Sequence, residues 1–206
     1  MYIDFFVICI LIFYSFYFVK FLNLYNNKLG YCIGKKAMLF EFCIDVIAFV
    51  LIYLLCGINI NSIIYILTIS FCVNLSFIDM KYMEISDEIN CILLLIGLFS
   101  LIINLKIAYS HFLGFLVGGG IYLFISATTN GTIGGGDIKL MSCIGLIFGI
   151  KATLFIMFTS SVLSYFSLIY CVILKKHSLQ KFIPFGPFIC LANIIFLLYS
   201  NLGFCI

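Results

Sequence analysis

The chain has 206 residues, 65% of them hydrophobic and only 9% charged, and its mean hydropathy is +1.29. This composition excludes a soluble globular domain, and the net charge of +3, which comes from lysine without any arginine, gives no indication of nucleic-acid binding. The long apolar runs are typical of membrane-spanning helices and lack the alternation of barrel strands. We therefore predict an all-α polytopic protein in a lipid bilayer.

Eight membrane spans are predicted, at about residues 1–24, 37–56, 62–78, 89–105, 112–128, 137–149, 152–174 and 184–202. The first span is apolar from its start, carries Asp4 where a signal peptide would have a lysine, and has no small-residue cleavage site. We expect this span to be retained, so that residues 1–206 form a single integral membrane domain.

The second predicted span contains two acids, Glu41 and Asp45, whose spacing puts them on one helical face. Acids suit the first turns of a helix, so the favoured interpretation is that Glu41 lies at the interface and pairs with Lys35 or Lys36. Asp45 would then lie beside it. The alternative is that these two residues are functional acids.

The segments that connect the later spans differ in charge and in glycine content. The most charged segment of the chain, residues 79–88, follows the third span, and a small loop with Lys106 and His111 follows the fourth. The run Gly118-Gly119-Gly120 lies within the fifth span, where small residues favour close helix packing. A glycine-rich turn, residues 130–136, precedes the sixth span.

The ten cysteines and two histidines do not form a metal-binding pattern. The cysteines are scattered singly, no Cys-x-x-Cys pair occurs, and His111 and His177 lie far apart in the sequence. Most of the thiols lie in apolar runs, where cysteine behaves as a small hydrophobic residue. We expect no zinc site, no disulfide framework and no cofactor.

The distribution of lysines predicts the orientation of the chain. With the N-terminus outside, only Lys106 and Lys151 of the eleven lysines remain on the exterior, and the other nine are cytoplasmic. This orientation brings Asp79, Asp137 and the segment around Pro184 to the cytoplasmic boundary of the cell membrane.

Asp79 and Asp137 are predicted at one membrane boundary. Together they supply the two carboxyl groups that peptide hydrolysis by an activated water requires. Two close carboxyls share a proton, so that one activates water as a base while the other polarises the scissile carbonyl. The glycines Gly134-Gly135-Gly136 before Asp137 allow a substrate strand to come close. The alternative for this segment is a polar turn between two spans. Because Asp137 starts a predicted helix and Asp79 ends one, the helix dipole favours the proton on Asp79.

Three segments of the chain resemble motifs of the type IV prepilin peptidases. Residues 134–140, Gly-Gly-Gly-Asp-Ile-Lys-Leu, resemble the Gly-x-Gly-Asp motif, and residues 79–87 resemble the first catalytic aspartate segment, with Ser86 in place of a proline. Residues 183–188, Ile-Pro-Phe-Gly-Pro-Phe, resemble a late segment of that family. The resemblance implies that Asp79 and Asp137 are the catalytic pair.

The resemblance also implies the substrates and the surroundings of the acids. The substrates would be prepilins or pseudopilins, cut at the cytoplasmic face just before their apolar helix. We assign to the active-site loops the residues Gly134, Gly135, Gly136, Lys139, Pro184 and Gly186. For Lys139 the favoured interpretation is nevertheless a role in membrane orientation alone, and for the Pro184 segment the alternative is that it shapes the entry of the last span.

The connection between the first two spans departs from the bifunctional members of that family. Those members carry a cytoplasmic insert with paired Cys-x-x-Cys motifs, associated with N-methylation, whereas here about fourteen residues contain the single cysteine Cys32. We therefore expect a peptidase without methyltransferase activity.

Three other functions compete with this assignment. An intramembrane protease of the presenilin type would carry Tyr-Asp and Pro-Ala-Leu motifs, which this sequence lacks. A proton- or cation-coupled small transporter would use its acids to bind ions, and a non-catalytic scaffold would tolerate Asp→Asn changes.

Overall fold

The computed structural model describes residues 2–129, 131–175 and 184–201. Within these ranges the chain forms helices only, which confirms the prediction of an all-α polytopic membrane protein. The helices are α1 (Tyr2–Lys28), α2 (Lys35–Cys56), α3 (Ile60–Tyr82), α4 (Asp87–Ile103), α5 (Ala108–Thr128), α6 (Gly135–Phe148), α7 (Ile150–Lys175) and α8 (Gly186–Asn201), with a short 3-10 turn at Leu105–Ile107.

The eight helices correspond to the eight predicted spans, but they differ in length. Five of those described are long and apolar enough to cross a membrane: α1, α2, α3, α5 with its preceding 3-10 turn, and α7. Helix α6 has 14 residues. At 1.5 Å per residue it rises about 21 Å, less than the roughly 30 Å of a bilayer core. It ends at Gly149, whose φ of 82° breaks the helix before α7 begins.

Helix α3 is the central helix of the bundle. It packs against α2, α4 and α8, and most of its residues are buried on every side. The outer helices instead expose large apolar side chains, such as Phe13 and Phe21 on α1 and Phe158 on α7. Exposed apolar faces of this kind suit contact with lipid.

The end of α3 differs from the prediction. The third span was expected to end before Asp79, but α3 continues to Tyr82, and Asp79 lies in its last turn. The helix ends at Met83, which adopts a left-handed conformation with φ 57° and donates its backbone N–H to the Asp79 carbonyl at 2.9 Å.

The start of α5 also differs from the prediction. The sequence predicted that His111 lies in a loop, whereas α5 begins at Ala108 and buries this side chain. The ring Nδ1 lies 2.9 Å from the backbone oxygen of Leu146 on α6. The histidine is thus part of the contact between two helices.

Glycines bring the backbones of α5 and α6 into direct contact. A Cβ on Gly114 would overlap the carbonyl oxygen of Gly145, and a Cβ on Gly145 would overlap the carbonyl oxygen of Gly114. A Cβ on Gly118 would lie 2.7 Å from the carbonyl oxygen of Met141. The packing role expected for the Gly118–Gly120 run therefore holds for Gly118, while a Cβ on Gly120 would meet open space.

The interfacial prediction for Glu41 and Asp45 is wrong. Both side chains are completely buried, and Lys35 and Lys36 are exposed on the first turn of α2. Helix α2 starts at Lys35, so Glu41 already lies well inside the bundle. Its Oε1 accepts a hydrogen bond of 2.8 Å from Nδ2 of Asn74 on α3.

Candidate active site

Asp79 is almost completely buried between the end of α3 and the start of α8. Its side chain is 6% exposed, and Oδ2 accepts a hydrogen bond of 2.7 Å from the backbone N–H of Gly186. A Cβ on Gly186 would lie 2.9 Å from that oxygen and 3.3 Å from the Asp79 Cβ. Only glycine lets the backbone of α8 approach the carboxylate so closely.

Asp137 lies in the first turn of α6. Gly134 is the N-cap of this helix, and a Cβ on it would lie 3.2 Å from Oδ2 of Asp137. The other oxygen, Oδ1, is buried and has no hydrogen-bond partner among the described residues. The carboxyl therefore has one oxygen against the glycine-rich turn and one available for a further partner.

The two aspartates meet at a single cavity of about 470 Å³ at one end of the helix bundle. The α1–α2, α3–α4 and α5–α6 connections all contribute to it. Its described lining consists of Tyr31, Asp79, Met83, Glu84, Ile85, Asp87, Glu88, Gly134, Gly135, Gly136 and Asp137. The carboxyls of Asp79 and Asp137 are close enough to interact electrostatically. The structure thus brings together the two acids that the sequence singled out.

The three glycines of the turn have different surroundings. A Cβ on Gly136 would lie 2.7 Å from the Cβ of Ile85, so this glycine allows α6 to pack against the α3–α4 connection. The carbonyl of Gly136 also accepts a hydrogen bond of 3.4 Å from Nδ2 of Asn90. A Cβ on Gly135, which also lines the cavity, would meet nothing within 4 Å.

Lys139 and Pro184 are absent from the described lining of the cavity. Lys139 instead forms an ion pair with Asp87, with Nζ 2.7 Å from Oδ1 and 2.8 Å from Oδ2. A role in orientation alone therefore does not describe this lysine fully, because the pair connects the second turn of α6 with the first turn of α4. Pro184 is half-buried and directly precedes the segment that contacts Asp79.

Tyr31 is a lining residue that sequence reasoning missed. Its hydroxyl donates to Oε2 of Glu84 at 3.3 Å, and burial, followed by the charge of this carboxylate, raises the pKa of the Tyr31 phenol. The same connection is attached to α3, because the backbone N–H of Cys32 donates to the Tyr82 hydroxyl at 2.8 Å and its carbonyl accepts from Nζ of Lys81 at 2.6 Å. A tyrosine in a short polar loop gives no sequence signal of these contacts.

In this geometry the helix dipole does not favour the proton on Asp79, contrary to the prediction. Asp79 does lie in the last turn of α3, and Asp137 in the first turn of α6. However, the Asp79 carboxylate also faces the N-terminus of α8 through Gly186. Both acids therefore contact the positive end of a helix, and the dipole does not distinguish them.

Comparison with known proteins identifies the family. The model of the type IV leader peptidase family matches residues 66–169, just over half of the chain and a range that includes Asp79 and Asp137. The prepilin leader peptidase/N-methyltransferase of Aeromonas hydrophila is 33% identical over 135 residues, which cover 63% of this chain and 47% of that protein. The protein of the same description from Bacillus subtilis strain 168 is 28% identical over 146 residues, covering 70% and 59%.

The chain thus spans about half the length of the curated relatives that it matches. No solved structure matches it. The family match and the polytopic helical fold agree, and the chain belongs to the type IV leader peptidase family.

Proposed function

We propose that this chain is a membrane-embedded aspartic endopeptidase that removes the leader peptide of type IV prepilins or prepilin-like proteins. The observation that supports the proposal most is that Asp79 and Asp137, carried by different helices, line one cavity at one end of the bundle. Membership of the type IV leader peptidase family supports the substrate class. In this proposal residues 1–206 act as one peptidase domain.

The proposed reaction uses the two carboxyls as a pair that shares one proton. The ionised carboxyl takes a proton from water, which attacks the scissile carbonyl, while the protonated carboxyl donates to the carbonyl oxygen. Collapse of the tetrahedral intermediate breaks the C–N bond, and the amine leaves with a proton returned from the pair. The Gly186 N–H fixes one oxygen of Asp79, which leaves its other oxygen for this exchange.

The lining of the cavity supports an extended, cationic substrate segment. Glu84 and Glu88 lie around the two aspartates, while Asp87 is paired with Lys139, so the electrostatic field at the opening attracts positive charge. A Cβ on Gly135 would meet nothing within 4 Å, and in this proposal a substrate backbone approaches Asp137 past this glycine. Gly134 and Gly136 shape the same turn. A leader peptide with basic residues before the cleavage point fits these features.

The proposed topology has the N-terminus outside and the cavity at the cytoplasmic face of the cell membrane. Nine of the eleven lysines lie on the cytoplasmic side in this orientation. The α1–α2 connection spans only residues 29–34 and contains one cysteine, Cys32. It therefore has no room for a Cys-x-x-Cys insert, and we propose peptidase activity without methyltransferase activity.

Co-expression with a candidate prepilin tests the proposal. Wild-type protein should convert the prepilin to its shorter mature form on a gel, and Asp79→Asn and Asp137→Asn should each abolish the conversion. Asp4→Asn is the matched control, since it makes the same change at an aspartate near the start of α1, and it should process normally. Processing by either site variant at the wild-type level would refute the assignment of the catalytic pair.

A further inference from the structure

Tyr122 on α5 is a buried residue that the proposed reaction does not use. Its side chain is 3% exposed and is absent from the described lining of the cavity. It is nevertheless close enough to Asp137 on α6 to interact with it electrostatically. Its ring also contacts the segment that leads into α8. Tyr122 therefore neighbours both of the helix starts on which the two aspartates depend.

The register of α5 against α6 places Tyr122 opposite Asp137. A Cβ on Gly118 would lie 2.7 Å from the carbonyl oxygen of Met141, four residues after Asp137. The hydroxyl of Ser126 donates at 3.0 Å to the backbone carbonyl four residues before Asp137. Gly118 and Ser126 likewise lie four residues before and after Tyr122. In this antiparallel contact Tyr122 and Asp137 are therefore at the same level, about one helical turn from each of the two flanking contacts.

The ring of Tyr122 packs edge to face on Phe185, with the ring centroids 5.9 Å apart. Phe185 directly precedes Gly186, and its carbonyl accepts two backbone N–H groups of α8, at 3.0 and 3.2 Å. This carbonyl thereby holds the first turn of α8 in place. Because the N–H of Gly186 donates to Asp79, a shift of Phe185 would also move the donor that fixes Asp79.

A third helix holds the hydroxyl of Tyr122. This hydroxyl lies 3.4 Å from Oγ of Ser160 on α7, and Ser160 is completely buried. Ser160 donates its single proton to the carbonyl of Met157 at 3.1 Å, so the proton between the two hydroxyls comes from Tyr122. The tyrosine is thus attached to α7 at its tip and to Phe185 along its ring.

We propose that Tyr122 is a positioning residue, which fixes the start of α8, and with it Asp79, relative to Asp137. This role rests on the proposed peptidase function, because it concerns the geometry of the same aspartate pair. Tyr122 acts through Phe185 and Gly186. Two carboxyls that share a proton must keep a close and constant separation. A small displacement of either one should therefore slow the chemical step more than it weakens substrate binding.

Steady-state cleavage of a basic prepilin by the purified full chain tests this role. Tyr122→Leu removes the ring and should lower kcat about ten- to hundredfold with KM nearly constant. Tyr122→Phe keeps the ring and should retain most of the wild-type kcat. The control is Tyr14→Leu, which removes a partly buried ring packed on Phe49 of α2, and it should keep the wild-type kcat. A normal kcat in Tyr122→Leu, or equal losses in Tyr122→Leu and Tyr122→Phe, would overturn the proposal.

A double-variant cycle with Gly186→Ala separates positioning from general destabilisation. If Tyr122 acts through the start of α8, adding Tyr122→Leu to Gly186→Ala should lower kcat little further, because both changes disturb the same contact. Losses that multiply in the double variant would show that the two residues act independently, contrary to the proposal.

Hydrogen exchange of the Gly186 amide tests the contact without any substrate. This N–H is protected by its bond to Asp79, so in Tyr122→Leu it should exchange about tenfold faster or more than in wild type. It should stay slow in Tyr122→Phe and in Tyr14→Leu. An unchanged exchange rate in Tyr122→Leu would overturn the positioning role. If wild-type protein cleaved no prepilin, the proposed function would fail on that ground, and the exchange rates would still decide whether Tyr122 fixes the start of α8.

Discussion

The backbone N–H of Gly186 donates to Oδ2 of Asp79 at 2.7 Å, although 107 residues separate the two in the sequence. The start of α8 thereby fixes an acid at the end of α3. A hydrogen bond from a neutral donor to a charged group contributes about 1.5–3 kcal/mol, which corresponds to roughly ten- to hundredfold in an equilibrium. The position of Asp79 thus depends on the distant Pro-Phe-Gly-Pro segment as well as on its own helix.

The first prediction concerns Gly186→Ala. The added Cβ would lie 2.9 Å from Oδ2 of Asp79, so either the carboxylate or the start of α8 must move. We expect the initial rate of prepilin cleavage to fall about tenfold or more while the protein still accumulates in the membrane. Gly34→Ala is the control, since a Cβ there would meet nothing within 4 Å and the residue has an ordinary φ of −70°. Wild-type cleavage by Gly186→Ala would show that this contact does not position Asp79.

The second prediction concerns the ion pair between Lys139 and Asp87. Their side chains are 56% and 64% exposed, so the pair contributes no more than about 1 kcal/mol. We expect Lys139→Gln to reduce the cleavage rate by less than about tenfold, because other contacts also position the start of α6. The exchange of both charges, Lys139→Asp with Asp87→Lys, should recover part of the loss. If Lys139→Gln were as inactive as Asp137→Asn, the lysine would have to act on the substrate directly.

The third prediction concerns the contact between α5 and α6. A Cβ on Gly114 would overlap the backbone oxygen of Gly145, and a backbone atom cannot move away by a side-chain rotation. We expect Gly114→Ala to lower the free energy of unfolding by about 2 kcal/mol or more, measured by thermal or denaturant unfolding in detergent. Gly120→Ala lies in the same helix and faces open space, so it should leave stability nearly unchanged. Equal stability of the two variants would contradict the close backbone approach.

The fourth prediction concerns the acids around the cavity opening. Replacing Glu84 and Glu88 by glutamine removes two of the charges that attract a basic leader peptide. We expect KM for a basic substrate to rise several-fold with kcat nearly constant, and the difference from wild type to shrink at about 1 M salt, where the Debye length is near 3 Å. A substrate with an uncharged leader should respond much less. An equal rise in KM for both substrates would mean that the two acids do not act through charge.

The sequence predicted the helices well because apolar runs and their polar breaks are local features. It also identified Asp79, Asp137 and the glycine-rich turn, since acids and glycines in such a setting are costly. It could not reveal that Glu41 is buried and bonded to Asn74, because this partner lies on another helix. The placement of Lys139 depends in the same way on Asp87. Contacts between distant helices follow from packing, which local spacing does not encode.

The central claim is that Asp79 and Asp137 act on one water as a pair. The most direct test measures initial cleavage rates of a prepilin by purified wild-type protein, by Asp79→Asn, by Asp137→Asn and by the double variant. Groups that act as a unit are not additive, so each single variant should lose activity by about a thousandfold or more, and the double variant should lose no more than either. A single variant that retains a tenth of the wild-type rate, or single losses that multiply in the double variant, would contradict the account.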